Sequence, residues 1–105
     1  MSLRGKKLGL LISTRPDHPN FERGLKLAEA ALSAGITVYL YCIDEAVFGV
    51  GDPRLHALEA QGLHLYACAF AARRRELLLD DRVTYAGLSV VNDMISATDR
   101  FVSFN

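Results

Sequence analysis

Short apolar runs of strand length alternate along the chain with segments whose apolar residues recur at helical spacing, and Gly, Pro or Asp stands at most joins. Residues 7–13 predict a first strand. Its near-continuous apolar stretch, Leu8-Gly9-Leu10-Leu11-Ile12, suits a parallel strand covered on both faces. Phe21, Gly24, Leu25, Ala28, Ala31 and Leu32 then keep the i, i+3, i+4, i+7 spacing of a helix, with Asn20 as the expected N-cap and Gly35 as the left-handed residue beyond the end. A second strand is expected over 36–42. Asp52 before Pro53 marks the start of a second helix, Leu55 and Leu58 its buried stripe and Gly62 its close. The remainder predicts a strand at 63–67, a helix at 69–79, a strand at 82–86, a helix at 88–97 and a last strand at 100–104. Five strands and four helices in βαβ order, joined by right-handed crossovers, give an α/β fold. It is a three-layer α/β/α sandwich with a mainly parallel sheet of flavodoxin-like topology.

Composition narrows the function classes. The 105 residues are 50% apolar, enough for one core, and are read as a single domain, 1–105. Twelve Lys and Arg balance twelve Asp and Glu, so the chain lacks the positive field of a protein that holds a nucleic-acid backbone directly. Near-zero charge also does little to oppose self-association. No apolar run approaches the roughly 20 residues that cross a bilayer, so no membrane partner is expected. The run behind Lys6-Lys7 is too short for a secretion signal, which points to the cytoplasm. Two cysteines and three histidines predict neither a disulfide framework nor a metal site, and no phosphate-binding glycine motif occurs, so no cofactor is implied.

Chemistry in such a sheet gathers where strands end and helices begin. Cys68 stands at such a point, where the positive end of the following helix favours a thiolate. Arg73, Arg74 and Arg75 follow within two turns; at about 100° per residue only one or two of them face the cysteine, where they would hold an anion or an acidic partner. The same pattern fits a small buried cysteine beside a solvated Arg face, and both readings stand at this level. Cys68 to Arg74 also spells C-x5-R, but the intervening residues contain no glycine and read as helix, against a phosphate cradle. Cys42 ends the second strand and is a candidate resolving thiol if strands two and three are neighbours. The favoured reading is a plain buried cysteine on an apolar strand, since its only charged neighbour, Asp44, would raise the thiol pKa. His18, next to Asp17 in the first loop, is a candidate accessory proton carrier, with a solvated loop histidine as the bland alternative. His56 is expected on the exposed side of its helix, without a role.

Three stretches resemble the DsrE/DsrF-like (TusD-like) proteins of intracellular sulfur transfer. They are residues 8–14 with the helix 24–35, the strand and helix start Leu65-Tyr66-Ala67-Cys68-Ala69-Phe70-Ala71-Ala72-Arg73-Arg74, and Gly87-Leu88-Ser89-Val90-Val91 leading to Asp99-Arg100-Phe101-Val102-Ser103-Phe104. The resemblance implies that Cys68 accepts a sulfane sulfur as a persulfide and passes it to a partner cysteine protein. It further implies a homo-oligomer, trimeric or hexameric, or a hetero-oligomer with related subunits, and sulfur donor and acceptor proteins as partners. The rival readings are a non-catalytic oligomer subunit and a small-molecule or anion-binding module.

Overall fold

Along β1 (Lys7–Ile12) the side chains alternate between two differently covered faces. In this computed structural model, which describes residues 2–105, a methyl group added at Gly24 of α1 (Pro19–Ser33) would sit 2.7 Å from Ile12 Cδ1. One added at Gly9 would sit 2.7 Å from Phe101 Cδ2 and 3.4 Å from Thr98 Cγ2. Leu8, Leu10 and Ile12 therefore share the face of α1. Gly9 and Leu11 look toward the segment that links α4 (Ser89–Ala97) to β5 (Arg100–Phe104).

The five strands form one parallel sheet in the order β4-β3-β2-β1-β5, with β2 at Thr37–Cys42, β3 at His64–Cys68 and β4 at Thr84–Ala86. The first three crossovers step outward from β1; the last doubles back so that β5 pairs with the other side of β1. With right-handed connections, that reversal puts α4 on the face opposite α1, giving the expected three layers. α1 and α2 (Pro53–Ala60) pack on each other, while α4 lies over β1 and β5. The core runs through Leu10, Ile12, Phe21, Val38, Leu40, Tyr41 and Leu55, none of which is exposed. Each such side chain is worth about 1.5–3 kcal/mol in burial. No helix among the described residues is long and apolar enough to cross a membrane.

Helix starts correct one expectation. His18, not Asn20, caps α1: its Nδ1 accepts from the Asn20 N–H at 3.0 Å and Pro19 takes the first helical position. Asp52 caps α2 as expected, accepting from the Arg54 N–H at 2.9 Å. His56 is half-buried rather than solvent-facing. Its Nδ1 lies 2.7 Å from Glu59 Oε1 and its Nε2 3.6 Å from Asp80 Oδ2, which joins α2 to the segment before β4.

Helix ends share one device. At α1, Gly35 (φ 81) is left-handed, Gly35 N–H donates to the Leu32 carbonyl and Ile36 N–H to the Ala31 carbonyl; α2 repeats this with Gly62 (φ 110). α3 (Ala69–Arg74) ends in the same Schellman geometry, with Glu76 N–H on the Arg73 carbonyl and Leu77 N–H on the Ala72 carbonyl, but the left-handed position is held by Glu76 (φ 55). The expected helix over 69–79 is thus cut to six residues. A glutamate gives no stop signal in sequence, and Leu77 packing on the core holds the turn instead. A second feature that the sequence reading lacked is a 3-10 turn, Asp44–Gly49, which packs against α3.

Gly49 closes that turn so tightly that an added methyl would lie 2.6 Å from Phe21 Cζ and 2.8 Å from Pro16 Cγ. Gly49→Ala is expected to destabilise the protein by about 1–3 kcal/mol in denaturant unfolding, through overpacking. At the end of α3, Glu76→Gly should leave stability unchanged or raised. Glu76→Val, β-branched in a left-handed position, should lower it by more than about 1 kcal/mol in the same assay.

Candidate functional site

Cys68 is at once the last residue of β3 and the N-cap of α3, and its Sγ accepts from the Ala71 N–H at 3.4 Å. With α3 only six residues long, that N–H is the chief local donor toward the sulfur; the longer dipole expected of an eleven-residue helix is absent. Cys68 is 5% exposed and lines a cavity of about 420 Å³ together with Ile43, Asp44, Ala71, Arg74, Arg75 and Gly87. Phe70 and Leu88, 65% and 61% exposed, complete the lining. Residues 69–74 being helical, their N–H groups do not form the phosphate loop that C-x5-R would need.

Parallel register decides which groups surround the sulfur. Cys68 pairs with Ala86, and two residues back Tyr66 pairs with both Thr84 and Tyr41, so Tyr41 lies on the face of Cys68. The Tyr41 hydroxyl donates to the Ala86 carbonyl at 2.9 Å. Burial first, then a hydrogen bond and charge interaction with Cys68, hold the phenol above its ordinary pKa, so it stays protonated beside the thiol. Sequence reasoning missed Tyr41; its sign was the alternation of Tyr39 and Tyr41 with Val38 and Leu40, which sends both tyrosines to one face.

The arginines divide differently from the expectation. Arg74 and Arg75 line the cavity and Arg73 does not. Arg75 is ion-paired with Asp44, itself left-handed at φ 52, and its guanidinium lies 5.7 Å from the centre of the Phe48 ring. Its charge is thereby largely compensated. Arg74 remains the exposed cation of the cavity, with no ion pair among the described residues.

The two accessory candidates do not join the site. Cys42 pairs with Ala67, one residue before Cys68, so β2 and β3 are neighbours but the two sulfurs point to opposite faces of the sheet. Cys42 is also fully buried, and burial pushes its thiol up to about 12. His18 spends Nδ1 on capping α1 and lines a separate cavity of about 440 Å³ with Ser13, Thr14 and Arg15; only Asp44 touches both cavities.

A parallel α/β sandwich with a cysteine at a strand end beside a cationic cavity is the class these observations define. The chain belongs to the DsrE/DsrF-like family, whose sequence model matches residues 6–104, and that is a family of sulfur-relay proteins. Among solved structures it is similar to the ychN protein of E. coli, at 20% identity with a TM-score of 0.82, covering 94% of this chain and 99% of that one. It is also similar to a conserved protein of unknown function, BT1422, from Bacteroides thetaiotaomicron, at 15% identity with a TM-score of 0.64, covering 93% and 94%. These likenesses bear out the fold. No curated protein matches the chain in sequence.

Burial of Cys42 makes stability depend on alkaline pH. The unfolded thiol ionises near 9 while the folded one holds its proton to about 12, so deprotonation favours the unfolded chain. Stability is full below pH 9 and falls as pH rises through that window; Tyr41, shifted the same way, adds to the slope. Urea unfolding between pH 9 and 11 should show this decline, and Cys42→Ala should make it shallower.

Proposed function

We propose that the protein is a sulfur carrier in which Cys68 accepts a sulfane sulfur as a persulfide and passes it to a cysteine of a partner protein. The supporting observation is the placement of Cys68 at a strand end and helix cap, with the Ala71 N–H on its sulfur, inside a cavity whose exposed cation is Arg74. In the loading step the Cys68 thiolate attacks the outer sulfur of a donor persulfide. A bond forms between Sγ and that sulfur, the donor's sulfur–sulfur bond breaks, and the donor leaves as a thiolate. The acceptor's thiolate repeats the displacement on the Cys68 persulfide, so no external oxidant or reductant enters. Arg74 offers its charge to the anionic persulfide, and Tyr41, kept protonated, offers a neutral hydroxyl rather than a repelling phenolate. Arg75, paired to Asp44, shapes the wall.

Low exposure of Cys68 favours a second reading, a non-catalytic subunit of an oligomer in which the thiol is only a small core residue. The two differ in access: a carrier's cavity admits a persulfide, whereas a core thiol reacts only on local opening. Exposed Phe70 and Leu88 beside the cavity, with a net charge of zero, support assembly as a homo- or hetero-oligomer or docking of donor and acceptor proteins at this edge.

Mass spectrometry after incubation with a sulfane-sulfur donor tests the carrier reading. Native protein and Cys42→Ser should each gain one reducible sulfur, about 32 Da, on Cys68, and Cys68→Ser should gain none while remaining folded. Loading that persists in Cys68→Ser rejects the assignment. No loading, together with slow alkylation of Cys68, establishes the non-catalytic subunit instead.

A further inference from the structure

The largest cavity described lies at the other end of the sheet from Cys68. It measures about 630 Å³, within the roughly 300–1,000 Å³ common for small-molecule sites. It opens where β1 begins, beside the start of β5 and the last turns of α1. Leu8, Leu27, Ala31 and Ile36 make an apolar floor, and the half-exposed Leu3 lines it from the N-terminal segment.

Lys6, Lys7 and Arg100 border the cavity, and among the described residues none of the three forms an ion pair. The one carboxylate there, Asp99, accepts the Lys7 backbone N–H at 2.8 Å. The C-terminal carbonyls of α1, which would otherwise oppose an anion, are engaged: Ala34 N–H donates to the Ala30 and Ala31 carbonyls and Ile36 N–H to the Ala31 carbonyl. Arg100 pairs with Leu8 and shares its face, as does Lys6 two residues before Leu8, whereas Lys7 alternates to the other face; two cations against one carboxylate leave a positive rim over the apolar floor. A partner of matching chemistry carries a single anionic head and an aliphatic tail.

We infer that this cavity binds an amphipathic carboxylate, its tail on Leu8, Leu27, Ala31 and Ile36 and its head group between Lys6 and Arg100. The site uses no residue of the Cys68 cavity, so its occupancy and sulfur loading are separable.

Decanoate below its micellar concentration is the probe, titrated into the full chain and followed by backbone amide NMR. Saturable shifts at Leu8, Ala31 and Ile36 are expected, with uncharged decanol binding roughly tenfold more weakly. Lys6→Gln combined with Arg100→Gln, both exposed and so safe for folding, should weaken decanoate by a similar factor. Ala30→Phe, from an exposed position on the cavity wall, should fill the space and abolish binding. Shifts that never saturate, shifts centred on Cys68, or equal binding of decanol would each overturn the inference. So would self-association that Ala30→Phe disrupts in sedimentation while decanoate fails to bind, which would assign the groove to a second copy of the chain.

Discussion

Parallel pairing of β1, β2 and β3 in one register is the constraint on which the site depends. Ile12, Cys42 and Ala67 form a row across the sheet, and the next residue of β3 is Cys68. Because side chains alternate along a strand, that single step puts the two cysteines on opposite faces. Cys42 is committed to the apolar layer beneath α1, where its charged form is excluded. Cys68 is committed to the side of Tyr41 and to the strand end where a helix N–H can meet sulfur. A slip of β3 by one residue would turn Cys68 to the α1 face and carry Leu65 and Ala67 to the other.

Local backbone devices then shape the space around the thiol. The left-handed Glu76 ends α3 after six residues, before it can carry Leu78 and Leu79 into a longer amphipathic helix; both leucines are left exposed. The left-handed Asp44 begins the 3-10 turn and brings its carboxylate to Arg75. Left-handed backbone costs about 1 kcal/mol or more for residues with a Cβ, so both positions are held by their surroundings: Leu77 on the core in one case, Gly49 locked against Phe21 and Pro16 in the other. Of the two, Asp44 lies at the C-terminal edge of the sheet and lines the cavity of Cys68.

Electrostatics at that edge separate two arginines that look equivalent in sequence. Arg75 is half-buried, paired and close to Phe48, which suits a wall; Arg74 is exposed and unpaired among the described residues, which suits an anion. Tyr41, fully buried and hydrogen-bonded to Ala86, ties β2 to β4 across β3 and so fixes the strand that carries the thiol. The chain belongs to the DsrE/DsrF-like family over residues 6–104, and its structural likeness to ychN extends over nearly all of both chains.

Hydrophobic period, with Gly, Pro and Asp at the joins, determined the order of strands and α-helices, the parallel α/β class and the strand-end position of Cys68, because a covered parallel strand is continuously apolar and a crossover helix shows one apolar stripe. Asp52-Pro53, Gly35 and Gly62 were legible as helix boundaries for the same local reason: their chemistry acts within a turn of chain. What depends on residues distant in sequence was not legible. The end of α3 at Glu76 rests on Leu77 meeting the core, and the choice of Arg74 and Arg75 over Arg73 rests on where that short helix points. Placement of Tyr41 beside Cys68, and of Cys42 away from it, rests on the β2–β3 register. Pairing partners across a sheet are set by the packing of the whole chain, so only the tertiary structure could decide them.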